Sequence, residues 1–236
     1  MDPVTIAARF CGPPGSANGG YTCGRVAAAL GDGPAEVTLR VPPPLDRPLA
    51  LERREDRVVL LDGDVLVAEG RRADRPDVEP PAPIGVDEAR RAAGRHPWKD
   101  THPYPTCFVC GTGRAPGDGL RIFCGPTDDG ARFAAPWTPP AELAGPDGAL
   151  AREFVWAALD CPSGIATVGW DDVERILLGR LTAELRAPVA TGAEHVVQAW
   201  PLARDGRKLH TGSALYDADG QVLAFARAVW IELPVA

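Results

Sequence analysis

Three short segments of this chain carry residue types that could do chemistry. The first is Asn18-Gly19-Gly20, which opens a small-residue run ending at Leu30-Gly31. The first N–H groups of a helix have no intrahelical partner and favour negative charge, and a glycine there admits close approach to the backbone. The second is Asp160, set in the apolar stretch Ala157-Ala158-Leu159-Asp160-Cys161-Pro162. A carboxylate is costly to bury unpaired, and a positioned one can serve as general base or nucleophile. The third is Cys107-Phe108-Val109-Cys110-Gly111, a CxxC turn preceded by His102, of the kind that supplies two legs of a zinc site.

Each segment also has a purely structural reading. Gly19-Gly20 is a sufficient loop-to-helix turn. Asp160 could cap a helical segment that Pro162 begins. No second CxxC follows, so Cys107 and Cys110 are read as a metal-free turn; a zinc ion would need two further ligands, with His102 and Cys124 nearest in sequence. Cys11, Cys23, Cys124 and Cys161 read as small core residues. Cys161 as a nucleophile lacks a neighbouring histidine to activate it. His195 and His210 fall on strand-like segments as packing or surface residues, and Trp170, Trp200 and Trp230 read as core or interface anchors.

Composition narrows the partners. The chain has 236 residues with a formal net charge of −7 and a pI near 5.1, and its arginines are scattered among acidic neighbours. That balance excludes nucleic acid as an expected partner. No apolar run approaches the roughly 18 residues of a membrane span, and the N-terminal residues lack a signal-peptide pattern, so a cytoplasmic protein without membrane contact is expected. Nothing in the sequence calls for a cofactor.

The elements that must position these residues come as two similar series. Phe10-Cys11-Gly12-Pro13 recurs as Phe123-Cys124-Gly125-Pro126, Leu39-Arg40-Val41-Pro42 as Leu185-Arg186-Ala187-Pro188, and Asp62-Gly63-Asp64-Val65-Leu66 as Asp219-Gly220-Gln221-Val222-Leu223. The order is the same in both halves. The first half reads as a strand over 4–10, a helix over 19–30 and strands over 36–41, 49–55, 58–61 and 65–69. The second reads as strands over 120–123 and 131–135, a helix over 153–168 and strands over 177–185, 194–202, 208–216 and 222–233. Asp62-Gly63, Asp205-Gly206 and Asp219-Gly220 are hairpin turns, and the strands alternate as in a sheet with one covered face. Residues 74–106 hold seven prolines and are expected to connect an N-terminal domain, 1–73, to a C-terminal one, 107–236, with a short helix over 87–93.

A helix followed by antiparallel strands, given twice, resembles the hotdog fold in its tandem form: an α+β double hotdog with two curved antiparallel sheets, each wrapped around a long helix. The tail Leu223-Ala224-Phe225-Ala226-Arg227-Ala228-Val229-Trp230-Ile231 resembles the closing strand of hotdog acyl-CoA thioesterases. In the 4-hydroxybenzoyl-CoA and phenylacetyl-CoA kinds the helix opens with His-Gly-Gly and carries an acid nine residues after the His. Asn18-Gly19-Gly20 resembles that opening, but Ala27 stands where the acid belongs; Asp160 resembles the acid, but Ala151 stands where the opening belongs. The resemblance therefore implies a composite site. The N–H groups of Gly20 and Tyr21 would stabilise a thioester oxyanion, Asp160 would be base or nucleophile, and Asn18, Gly19 and Trp156 would bind substrate. It implies a coenzyme A-type acyl thioester as partner, one site per chain, and a homodimer of tandem chains. The alternatives are a non-catalytic acyl-thioester binder and a hotdog hydratase or dehydratase, which lacks its Asp-x-Asn-Pro-x-His signature here.

Overall fold

The computed structural model describes residues 1–170 and 175–234. Val4–Thr5 (β1) leads to a helix, Gly19–Ala28 (α1), and then to Ala35–Leu39 (β2), Pro48–Arg54 (β3), Arg57–Asp62 (β4) and Val65–Arg72 (β5). After a short helix, Val86–Ala93 (α2), come Gly125–Pro126 (β6), Phe133–Trp137 (β7), a second main helix, Arg152–Ile165 (α3), and Ile176–Leu185 (β8), His195–Asp205 (β9), Lys208–Tyr216 (β10) and Val222–Glu232 (β11).

Two curved sheets joined edge to edge are expected, and the described strands hydrogen-bond into one continuous sheet, in the order β1-β3-β4-β5-β2-β8-β11-β10-β9-β7-β6. The halves join where β2 pairs antiparallel with β8, Ala35 opposite Ala183 and Val37 opposite Leu181. Each of these strands follows the helix of its half, so the junction pairs equivalent strands. Joining them removes two exposed edges at once. Among the described residues, no helix is long and apolar enough to cross a membrane.

α1 and α3 lie antiparallel on one face of this sheet, because Gly20 meets Trp156, Ala157 and Asp160 while Gly24 meets Glu153 and Trp156. A Cβ on Gly20 would fall 2.3 Å from the Asp160 Cβ, and one on Gly24 would fall 2.5 Å from the Glu153 Cα. Two glycines one turn apart thus set how closely the helices approach. α1 has 10 residues rather than the longer helix expected, and α3 has 14.

Three other expectations are corrected. Residues 8–10 form a 3-10 turn instead of continuing the first strand; the Ala8 N–H donates to Asp46 Oδ1 at 2.8 Å. Residues 120–123 are not a sheet strand; the N–H groups of Leu120 and Ile122 bind the Phe108 and Val109 carbonyls, bracing the CxxC turn. The second half's sheet is covered on both faces, not one. Residues 74–106 lie across its outer face, where Ala89 and Ala92 of α2 pack on Ala134 and Val196, and Val78 packs with Trp200, Tyr216 and Phe225. The Tyr216 hydroxyl anchors this segment by donating to the Pro81 carbonyl at 2.7 Å.

Gly24→Ala is expected to destabilise the chain by about 1–3 kcal/mol in urea unfolding, since the new methyl meets backbone of α3. Gly85→Ala, where nothing lies within 4 Å of an added Cβ, is expected to be near neutral.

Candidate active site

The start of α1 is built around Asn18. Its backbone is extended, and its side-chain Oδ1 accepts the Tyr21 N–H at 2.8 Å, the usual N-cap bond. Its Nδ2 donates outward to Asp160 Oδ2 at 3.0 Å, and the Gly20 N–H donates to the same oxygen at 2.7 Å. One carboxylate oxygen from the second half therefore closes the helix N-terminus of the first. The other oxygen, Oδ1, is buried with no hydrogen-bond partner among the described residues. Burial pushes Asp160 up to about 7, against the lowering effect of Gly20 N–H; Cys107 raises it further and the Asn18 amide lowers it.

Asp160 sits mid-helix, so its alternative reading as a cap is excluded: α3 runs unbroken through Pro162 to Ile165, and Ala151 is the N-cap. Ser163 Oγ donates to the Asp160 carbonyl at 2.6 Å and accepts the Trp230 Nε1–H at 2.9 Å. This chain of bonds ties the carboxylate's turn of α3 to β11.

A cavity of about 320 Å³ opens beside the carboxylate. Asn18, Gly19 and Asp160 line it, with Leu178 and Trp230 among its apolar walls. The 74–106 segment contributes Trp98, His102 and Tyr104, and the CxxC turn contributes both cysteines. Sequence reading missed Trp98 and Tyr104; their clustering with His102 just before the CxxC turn is the only signal they give. It also assigned Trp230 to packing alone.

The expected residues divide. Asn18, Gly19, Gly20 and Asp160 are brought together. The Gly20 and Tyr21 N–H groups, expected to face a substrate oxygen, are instead taken by Asp160 Oδ2 and Asn18 Oδ1. The Gly19 N–H has no partner among the described residues, and Gly19 lines the cavity. Trp156, expected to bind substrate, is fully buried under Gly20 and Gly24 and lies outside the cavity wall. The Tyr21 ring is also buried, stacked on Phe10 at 4.4 Å.

Cys107 joins this site through the first half. Phe108 packs edge-on to Phe10 at 5.0 Å, and its N–H donates to the Cys11 carbonyl at 2.7 Å. The neighbouring Cys110 and Cys161 thiols hold Cys107 well below the usual thiol range, and the Cys161 sulfur lies 3.6 Å from it.

The opposite end of the helix pair is different. Ala27 stands nine residues after Asn18, as Asp160 stands nine after the α3 N-cap Ala151, which makes no side-chain bond. Ion pairs Arg25–Glu153, at 3.8 Å, and Arg152–Asp32 take up the polar groups of that end.

No family model matches the chain, and no curated protein does. Solved structures do. A tesB protein of Mycobacterium avium subspecies paratuberculosis matches with TM-score 0.64 at 11% identity, over 98% of this chain and 91% of its own. A conserved protein of unknown function with a hot dog fold, from Alicyclobacillus acidocaldarius, matches with TM-score 0.60 at 14% identity, over 99% and 93%. The chain has the hot dog fold. A Thermobifida fusca protein assigned as a thioesterase II is similar over 98% of this hot dog chain and 92% of its own, with TM-score 0.62 and 15% identity.

Asn18→Asp would keep an acceptor for the Tyr21 N–H but set a second carboxylate against Asp160. It is expected to cost about 1–3 kcal/mol in urea unfolding, more than Asn18→Ser. An Asn18→Asp chain as stable as the parent would contradict the hydrogen-bond assignment.

Proposed function

We propose that the chain is a tandem hot dog protein that hydrolyses an acyl thioester of the coenzyme A class, at one composite site shared by its halves. The observation that carries this reading is the Asp160 carboxylate. One oxygen is fixed by Gly20 and Asn18, and the other is buried, without a partner among the described residues, and part of a residue lining an apolar cavity. The names of the tesB and thioesterase II neighbours support the same chemistry.

In this reading Asp160 Oδ1 takes the proton of a water that attacks the thioester carbon. The carbonyl oxygen, gaining negative charge, receives the Gly19 N–H at the positive end of α1. The C–S bond then breaks and the thiolate leaves, collecting a proton from solvent. Gly20 and Asn18 act as positioning residues that fix the carboxylate. This assigns the oxyanion contact to Gly19 in place of Gly20 and Tyr21. With Ala27 at the related position, the chain carries one such site.

A second reading has its own observation. Two of the first N–H groups of α1 are satisfied internally, which suits a protein that holds an acyl thioester without cleaving it. Release of free thiol from a panel of acyl-coenzyme A substrates separates the two readings; stabilisation without thiol release favours the binder. For the hydrolase, Asp160→Asn is expected to lower kcat by about 10²–10⁴ with the melting temperature little changed, because an amide oxygen can still accept the Gly20 N–H. An active Asp160→Asn chain would refute the assignment.

A further inference from the structure

Three cysteine sulfurs converge on the cavity wall. The Sγ atoms of Cys107, Cys110 and Cys161 all lie within 4.8 Å of one another, and those of Cys107 and Cys161 are 3.6 Å apart. Sulfurs at the corners of a tetrahedron with zinc–sulfur arms of about 2.3 Å stand about 3.8 Å apart. The Cys107–Cys161 pair thus already holds nearly the spacing that a tetrahedral thiolate site requires, and Cys110 lies within 4.8 Å of both.

The turn that presents two of them is rigidly built. Gly111 follows the second cysteine because a Cβ there would fall 2.5 Å from the carbonyl oxygens of both Cys107 and Pro105. The Gly111 N–H closes the turn on the Cys107 carbonyl at 2.9 Å. Leu120 and Ile122 brace the turn from outside, at 2.8 and 2.9 Å. The third sulfur comes from α3, one residue past Asp160. Asn18 Nδ2 lies 3.5 Å from Cys161 Sγ and 4.0 Å from Cys107 Sγ, so an amide donor also faces the cluster.

We propose that Cys107, Cys110 and Cys161 bind one thiophilic divalent cation of the zinc class through three thiolates, leaving its fourth coordination position open to the cavity. Soft thiolate sets select such ions. Among the described residues no fourth cysteine, histidine or carboxylate joins the group. The two further ligands expected from sequence do not serve. Cys124 lies outside the cluster. His102 accepts the Tyr104 N–H at Nδ1, 2.9 Å, its Nε2 is buried without a hydrogen-bond partner among the described residues, and neither nitrogen falls within the group of three sulfurs. All three cysteines line the cavity, so a water or a donor atom of a bound molecule completes the tetrahedron. Three protein ligands plus one exchangeable position is the arrangement of reactive rather than structural zinc sites. The cation would displace the thiol protons to solvent on binding. The site depends on sulfur, not on Asp160, and stands whether or not the chain hydrolyses thioesters.

The test is metal content and spectroscopy of the full chain. Protein from zinc-supplemented cells is expected to carry about one zinc per chain. Protein from cobalt-supplemented cells is expected to show thiolate-to-cobalt charge transfer and the intense visible bands of tetrahedral cobalt(II). Cys161→Ser is expected to lose both the bands and the metal, while Cys124→Ser keeps them. If Cys161→Ser does not fold, Cys110→Ser and the parent cobalt spectrum decide the matter alone. A metal-free chain without cobalt bands would overturn the proposal. So would bands that survive Cys161→Ser, or a Cys107–Cys161 disulfide in place of metal.

Discussion

Burying a carboxylate costs several kcal/mol unless donors replace the lost water. Here the replacement comes from the head of another helix. Asp160 Oδ2 takes the Gly20 N–H and the Asn18 amide, and a helix N-terminus is a natural place for negative charge. Much of the geometry is needed to make this contact. α1 must start opposite the middle of α3, so the helices run antiparallel. They must also be close enough for a backbone N–H to reach a short side chain, and Gly20 and Gly24 allow that approach. The β2–β8 junction then fixes the two halves so that one supplies donors and the other the acid.

The pairing is lopsided in a way that assigns work to one end. In the proposed tandem reading, exchanging the two halves would place Ala27 where Asp160 stands and Ala151 where Asn18 stands. That end is tied by Arg25–Glu153 and Arg152–Asp32, surface-type ion pairs worth little individually. The end with the carboxylate is where the cavity and the three thiols lie. A chain with one elaborated end needs only one intact set of polar groups, which is the economy the proposed composite site draws on.

Local signals in the sequence translated well where a residue's own chemistry decides the structure. Asn18 caps a helix because its side chain suits that role, and Asp62-Gly63 and Asp219-Gly220 turn because glycine adopts the positive φ they need. The convergence of Asn18 and Asp160 was implied by the family resemblance, in which each half lacked the element that the other had. What the pattern hid is long-range. Nothing local in 74–106 says that Val78, Ala89 and Ala92 cover the second face of the sheet, or that Trp98 and Tyr104 reach the cavity. Which N–H groups of α1 remain free depends on where the Asp160 oxygens fall, a matter of ångströms. Cys161 could not be joined to Cys107 and Cys110 without knowing how α3 packs against the turn.

The central claim is that one composite site per chain lies at the head of α1, facing Asp160. It is tested most directly by titrating glycine-labelled protein with a non-hydrolysable thioether analogue of an acyl-coenzyme A while following the glycine amides by NMR. Saturation is expected at one analogue per chain, with the Gly19 amide moving most and the glycines of the outer hairpin turns, Gly63 and Gly206, unmoved. Saturation at two per chain, or binding that leaves the Gly19 amide in place, would contradict it.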